Sequence, residues 1–266
     1  MTDNEDMIIE AFDLTKAADG DFILDGVSFS FGRRGVHGIL SPKGGGKTAL
    51  LDILACAKGY DGGELVIDGI RIPPCGADGK QAKEAKTEIG YVRQNSEFYP
   101  QMTPVELLNF IGSARGEAPD KLTRQIKEAL ELVGLEGVSN RLIGRLELTE
   151  QKMLGYAAAI VGNPEILIID EPKSKLTAGN MDTVKGIVRL FGKRKTVIIA
   201  TEDFKIAREL CDDIVIISDG SVLASGSFEE LEDKLASRDD GRGTTLEALY
   251  NSLARASAGS KRKVGN

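Results

Sequence analysis

The octet Ser41-Pro42-Lys43-Gly44-Gly45-Gly46-Lys47-Thr48 constrains this chain more than any other stretch. It follows an apolar run at 36–40 and opens a helical pattern at 49–54. Strand, glycine-rich loop, lysine, threonine and helix, in that order, are the context in which the octet reads as a phosphate-binding loop. Consecutive glycines let backbone N–H groups curl around an anion, and the following helix N-terminus adds positive dipole. Lys47 is placed to reach terminal phosphates and Thr48 to hold Mg²⁺. One position departs from the pattern, because Ser41 stands where its first glycine belongs. An isolated octet of this kind also occurs as a plain glycine turn, so a second motif must decide.

A chain of 266 residues can bury a large core, as one α/β domain with a smaller lobe or as two domains. Its 41% apolar and 28% charged residues are ordinary for a globular protein. The net charge of −7 disfavours nonspecific binding to nucleic acid or to an anionic lipid surface. Cys56, Cys75 and Cys211 lie far apart and form no CxxC pair, which reads as reduced, structural thiols of the cytosol. The acidic start MTDNEDM does not read as a secretory signal. No apolar run approaches the roughly 20 residues that span a bilayer, so a membrane role requires another chain to supply the span.

Residues 7–14 and 22–31 alternate as strands do, joined by a polar turn at 17–21. Residues 35–40 form the strand feeding the loop, and the next helix is expected to run to about Lys58-Gly59. A hairpin is expected at 64–72, then a loop and charged helical turn at 73–86, then a strand at 89–92. Thr103-Pro104-Val105-Glu106 is a capping box with proline at the first helical position. Residues 121–133 and 149–161 continue as amphipathic helices, so about 95–160 reads as a helical insertion. Strands return at 165–170, 196–201 and 213–218 with helices between, which predicts a largely parallel sheet covered on both faces. Ser227-Phe228-Glu229-Glu230 and Thr244-Thr245-Leu246-Glu247 are further capping boxes, giving two C-terminal helices. Lys261-Arg262-Lys263 sits in a tail expected to fray. No internal repeat is evident.

The run Ile166-Leu167-Ile168-Ile169 ends in Asp170-Glu171. A buried parallel strand ending in two acids places both at the carboxyl edge of the sheet, beside the phosphate loop. Asp170 can then ligate Mg²⁺ through water, while Glu171 orients and deprotonates an attacking water. With both motifs placed, the chain resembles the ATP-binding subunits of ABC transporters over about residues 7–225. The segment IGYVRQNSEFYP is similar to that family's Gln loop, which implies that Gln94 links the γ-phosphate and Mg²⁺ to the helical lobe. The closing TTLEALYNSLA resembles a C-terminal helix common in ATPases of bacterial exporters. The resemblance implies an α/β P-loop NTPase fold of the ABC type. It has a RecA-like parallel core, an N-terminal antiparallel β layer and an inserted helical subdomain. The ATP-binding domain is expected at 1–226 and a helical extension and tail at 227–266.

Several positions depart from the family pattern. The signature LSGGQ corresponds here to Leu146-Glu147-Leu148-Thr149-Glu150. In the family, its serine and glycines bind the γ-phosphate of ATP held by the opposite subunit. That geometry needs small residues, because backbone amides must approach the anion closely. Glu147 instead brings negative charge toward a phosphate; like charges ~4 Å apart repel by ~4 kcal/mol even at a surface-like dielectric. The switch histidine is replaced by Glu202 in TVIIATED, and the chain's only histidine, His37, precedes the loop. It reads as a packed or edge-strand residue. The D-loop aspartate is Thr177, and Ala18 stands where an aromatic stacks on adenine, with Phe22 the nearest substitute. The lost stacking is worth under ~1.5 kcal/mol.

The resemblance therefore implies a cytoplasmic subunit held at the inner face of the cell membrane by a membrane-spanning partner. It binds Mg·ATP through residues 41–48 with Thr48, Gln94 and Asp170 around the metal. Glu171 and Gln94 carry the chemistry, and hydrolysis is expected to be weak. A homodimer would put LELTE at both ATP sites, so a heterodimer with another ABC ATPase subunit is the favoured assembly. A nucleotide-sensing pseudo-ATPase regulatory subunit is the alternative. An ABC-type protein acting on nucleic acid or ribosomes is disfavoured, since the chain has neither long coiled-coil arms nor a second ATP module. Phe98, Tyr99 and Met102 are equally readable as partner-docking surface or as lobe packing. Substrate and transport direction are not encoded in this chain.

Overall fold

Strands made almost wholly of buried β-branched residues need cover on both faces, and the arrangement of the sheet follows from that requirement. The computed structural model describes residues 6–18, 21–74, 79–237 and 245–257. Its central sheet has six strands: β3 (Gly35–Leu40), β6 (Ile89–Val92), β7 (Ile166–Asp170), β8 (Thr196–Thr201), β9 (Asp213–Ser218) and β10 (Ser221–Ser227). They are ordered β10-β9-β3-β8-β7-β6, with every pairing parallel except the β9–β10 hairpin.

Alternate residues of these strands feed two separate cores. Leu167, Ile169, Val197 and Ile199 pack with helices α5 (Leu148–Ile160), α6 (Ala178–Gly192) and α7 (Phe204–Leu210). Ile166, Ile168, Ile198 and Ala200 pack on the other face, against α1 (Lys47–Leu54) and a second sheet. That sheet is antiparallel, ordered β2-β1-β4-β5, from β1 (Met7–Ala18), β2 (Asp21–Gly32), β4 (Gly62–Ile67) and β5 (Ile70–Ile72). The antiparallel layer and the parallel core thus agree with the expected fold class. The pairing of β4 with β1 carries no local signal and was not expected.

Between β6 and β7 the chain is helical: α3 (Pro104–Ala114), α4 (Pro119–Val133), single 3₁₀ turns at Glu136–Val138 and Ile143–Arg145, then α5. The short helix α2 (Lys80–Thr87) precedes β6. The capping box at Thr103 forms as read, the Glu106 carboxylate accepting from the Thr103 N–H at 2.8 Å and Thr103 Oγ1 from the Glu106 N–H at 3.3 Å. At α8 (Phe228–Ala236) Ser227 and Glu230 cap reciprocally in the same way.

Two expected boundaries move. Helix α1 ends at Leu54, about four residues before Lys58, because Cys56 turns left-handed (φ 53°) and the amides of Ala57 and Lys58 fold back onto Asp52 O. The cap of α9 (Leu246–Ser257) falls on Thr245, whose Oγ1 accepts from Ala248 N at 3.1 Å; Thr244 lies outside the described residues. Also outside them are Cys75, residues 19–20 of the polar turn and the Lys261-Arg262-Lys263 cluster. Of the two readings of His37 the packed one holds: β3 lies between β8 and β9, and the ring stacks on Phe31 at 4.8 Å with Nδ1 2.8 Å from the Asp213 carboxylate. Cys56 and Cys211 are buried free thiols, and burial pushes Cys56 up to about 11 and Cys211 up as well. They are structural, as read.

One side chain ties the helical segment to the sheet. Arg115, at the end of α3, donates to Ile89 O at 2.8 Å, to Ala159 O at 3.2 Å and to Val161 O. It thereby joins α3 to the start of β6 and to both sides of the α5 C-terminus. Replacing it with methionine keeps the aliphatic packing and leaves three carbonyls without their donor. Arg115→Met is expected to lower unfolding stability by ~1–3 kcal/mol, read as a lower urea midpoint at unchanged slope.

Candidate functional site

The parallel register brings distant residues to one edge. Leu40 pairs with Thr201 and Asp170 with Ala200, so the phosphate loop, the two acids and the turn after β8 all leave the sheet at the same end. Ser41 N donates to Thr201 O at 3.2 Å, anchoring the loop's first residue to that edge. A cleft of about 910 Å³ opens there. Of the residues singled out from the sequence, Lys43, Gly44, Gly46, Lys47, Thr48, Gln94, Asp170 and Glu171 line it, as do Ala18, Phe22 and Glu202. Ser41, Pro42 and Gly45 are not among the lining residues; they form the support behind the loop.

The loop's conformation depends on its three glycines, of which Gly44 turns left-handed at φ 84°. Gly46 is the N-cap of α1 at φ 95°, and a side chain there would meet Ile23 O at 2.7 Å. At Gly45 a methyl group would overlap the Ser41 hydroxyl, which is wholly buried and points to Pro42 O at 3.4 Å. The serine that replaces the motif's first glycine is therefore accommodated by the absence of a side chain four residues later.

Lys47 is almost fully buried and donates to Ser41 O at 2.6 Å and Pro42 O at 3.1 Å; its Nζ also lies 3.5 Å from Glu171 Oε1. Thr48 Oγ1 donates to Asp170 Oδ2 at 3.1 Å. The other oxygen, Asp170 Oδ1, is buried with no hydrogen-bond partner. A buried carboxylate oxygen left unsatisfied beside a threonine hydroxyl is the donor arrangement a hard divalent cation takes, through its retained waters. Burial raises the affinity of Asp170 for protons, opposed by the Thr48 hydrogen bond and by Lys47; Glu171 is raised by burial too. A cation in the cleft acts in the opposite sense and favours both charged forms.

Glu171 has a left-handed backbone (φ 49°), which turns its carboxylate toward the end of β8. Oε2 accepts from Thr201 Oγ1 at 3.1 Å and Oε1 from the Glu202 N–H at 3.0 Å. The carboxylate is thus engaged by the turn that carries the switch position. Glu202 itself is exposed, and its carbonyl accepts from Tyr250 of α9 at 3.1 Å. Thr177 does not enter the cleft; it caps α6 through Asn180 N at 3.3 Å.

Residues 146–150 do not line this cleft. They form the start of α5, where Glu150 Oε2 accepts from Glu147 N at 2.8 Å. Leu148 is 67% exposed and Glu147 is exposed. One amide of this helix start is already bonded to a carboxylate, and its rim is apolar and anionic.

Residues to which the motifs gave no role also face the cleft or its walls. Lys173, Ser174, Asp203 and Asp219 line it, with Lys173 Nζ 3.3 Å from Asp203. Lys152 lies beneath the Gln94 segment, buried among apolar α5 residues, and burial brings its pKa down to about 8. Its signal in the sequence is a lone lysine heading the unbroken apolar run Met153 to Ile160. Among the described residues no cluster of three metal-ligating acids, histidines or cysteines occurs, and no helix is long and apolar enough to cross a membrane.

The Ser41–Gly45 contact yields a double-mutant test. Gly45→Ala alone is expected to destabilise the protein by ~1–3 kcal/mol through overpacking. Adding Ser41→Gly should recover most of that loss, so the thermal midpoints of the two single variants and the double variant will be non-additive.

The sequence profile of the family described as ABC transporter matches residues 24–174. The uncharacterized ABC transporter ATP-binding protein YxlF of Bacillus subtilis (strain 168) is 31% identical over 206 residues, covering 77% of this chain and 66% of that protein. The methionine import ATP-binding protein MetN 2 of Salmonella paratyphi A is 28% identical over 205 residues, covering 76% of this chain and 60% of that protein. The chain thus spans less than two thirds of the length of these curated relatives. Among solved structures, an ATP binding subunit of an ABC transporter superposes with a TM-score of 0.81 at 21% identity, over 92% of this chain and 99% of that one. A dimeric bacterial ABC transporter cassette gives 0.75 at 24% identity, over 82% and 98%. Glycine-rich loop, acid pair, sheet order and family profile converge, and the chain belongs to the ABC transporter family.

Proposed function

We propose that this chain binds Mg·ATP in the cleft through residues 41–48, Gln94 and Asp170, and hydrolyses it weakly, with Glu171 as the general base. The observation that carries the proposal is the contrast between two helix starts. At α1 the loop leaves Asp170 Oδ1 buried and unsatisfied beside Thr48, ready for the metal's water shell. At α5, Glu150 already occupies the Glu147 amide and Leu148 projects outward, so the face that would close over a second subunit's nucleotide is self-capped and acidic.

Mg²⁺, when bound, neutralises phosphate charge and assists the leaving group. The chain's own residues do the rest. The amides of residues 44 and 46–48 cradle the phosphates while the Gly45 amide closes the loop onto Pro42 O, and Lys47 exchanges the carbonyls of Ser41 and Pro42 for phosphate oxygens. Thr201 Oγ1 and the Glu202 amide each donate to one oxygen of Glu171, which fixes the carboxylate and leaves further lone pairs to take a proton from water. Because Glu202 replaces a histidine, no imidazole is available at that turn to hold the γ-phosphate.

Residues 1–226 serve as the ATP-binding unit and 227–266 as an extension. The subunit would couple nucleotide binding to a membrane-spanning partner, paired with a second ABC ATPase subunit whose signature is small and uncharged. Dimeric cassettes among the similar structures, one of them bound to ADP and Pi, support the pairing mode. A second reading, nucleotide sensing without turnover, is favoured by one observation: both oxygens of Glu171 are held by the β8 turn.

Purified protein is expected to bind Mg·ATP, with affinity lost in Lys47→Ala. Turnover should be at least ~100-fold below that of a cassette with intact transition-state contacts, and abolished by Glu171→Gln. The triple change Glu147→Ser, Leu148→Gly and Thr149→Gly should promote ATP-dependent dimerisation of the Glu171→Gln protein, seen as a shift in sedimentation. Ordinary turnover by the unaltered chain refutes weak hydrolysis; undetectable ATP binding refutes the cradle.

A further inference from the structure

The segment carrying Gln94 has no regular secondary structure, yet ammonium groups hold it from two sides. From α5, Lys152 Nζ donates to Arg93 O at 2.9 Å and to Gln94 O at 3.4 Å. From the turn after Glu171, Lys175 Nζ donates to the Asn95 side-chain oxygen at 2.6 Å. Three consecutive residues, 93 to 95, are thus bonded to two lysines of different elements. The contacts differ in kind. Lys152 is 4% exposed, and an ammonium is held in such a place only when its protons are used. Lys175 is exposed but takes a left-handed backbone at φ 63°, four residues after Glu171 at φ 49°. Its position is therefore set by the same turn that aims the catalytic carboxylate, a turn closed by Ser174 N donating to Glu171 O at 3.0 Å.

We propose that Lys152 and Lys175 are positioning residues that clamp the Gln94 segment at the cleft, tying it to helix α5 and to the turn after Glu171. Neither lysine lines the cleft; both act on the segment that carries Gln94. The clamp rests on the reading of the cleft as an Mg·ATP site for its functional consequence, though not for its geometry. A displacement of α5 would carry the backbone of Gln94 with it, because Lys152 donates to the carbonyls and not to a side chain that can rotate away. The turn after Glu171 would follow through Asn95. Gln94 and Glu171 would then respond as one unit to movement of the helical segment.

The chain has no tryptophan, so Tyr99→Trp, at a 65% exposed position in the same segment, supplies a single fluorescent reporter. Lys152→Met, Lys152→Arg, Lys175→Ala and Asn95→Ala are compared in that background. Two quantities are read: amide hydrogen exchange of residues 93–98 without nucleotide, and ATP affinity with Mg²⁺ or with EDTA. Exchange of the segment should quicken about tenfold in Lys152→Met and by a smaller factor in Lys175→Ala and Asn95→Ala, with α4 and β7 unchanged. The gain in ATP affinity on adding Mg²⁺, and the accompanying change in indole emission, should fall in the same variants while affinity in EDTA is kept. Lys152→Arg should restore both. If Lys152→Met does not fold, the two surface variants decide the matter. Segment exchange and Mg²⁺ dependence equal to the parent in Lys175→Ala and Asn95→Ala overturn the clamp. Lack of ATP binding by the parent overturns the nucleotide reading alone, and the exchange arm still judges the clamp.

Discussion

The contact between Thr48 and Asp170, 122 residues apart, exists only because β3, β8 and β7 pair in parallel without a register shift. Slipping β7 by one residue against β8 would exchange the faces of Ile166, Leu167, Ile168 and Ile169, and would move Asp170 away from the phosphate loop. Every side chain on β7 is buried, and its alternate members belong to different cores. Register is thus enforced by packing on both faces at once. The hydrophobic effect holds the sheet; its edge geometry is what places a lysine, a threonine and two acids around one volume.

Much of this arrangement was legible along the chain because its causes are local. A loop rich in glycine between an apolar strand and a helix has few other uses, and a strand ending in two acids delivers them to the same edge. The caps at Thr103 and Ser227 formed where their spacing placed them. What could not be read depends on partners far away. The end of α1 is set by Asp52 O receiving two amides after Cys56 turns left-handed, a choice that side-chain periodicity does not record. His37 could not be assigned to a central strand without knowing that β8 and β9 flank β3. Lys152 stands out only as a lone lysine ahead of an apolar run, and its role could not be read for the same reason: its partners are backbone carbonyls nearly sixty residues earlier.

Charge is distributed unevenly around the two helix starts. The cleft carries Lys43, Lys47 and Lys173 beside Asp170, Glu171, Glu202, Asp203 and Asp219, a lining that a polyphosphate with its metal can balance. The start of α5 carries two glutamates and a projecting leucine. Helix dipoles favour anions at both places, but at α5 a carboxylate of the chain itself already occupies the position. The two ends therefore differ in what they can receive, although both are helix N-termini.

The Ser41 hydroxyl and the bare Gly45 also bear on ancestry. A Cβ at 45 would stand 2.2 Å from Ser41 Oγ in its present rotamer and 3.2 Å from Pro42 O, so a side chain at 45 requires the serine to swing away or be lost. A change at either position is thereby felt at the other, and the two are expected to vary as a pair.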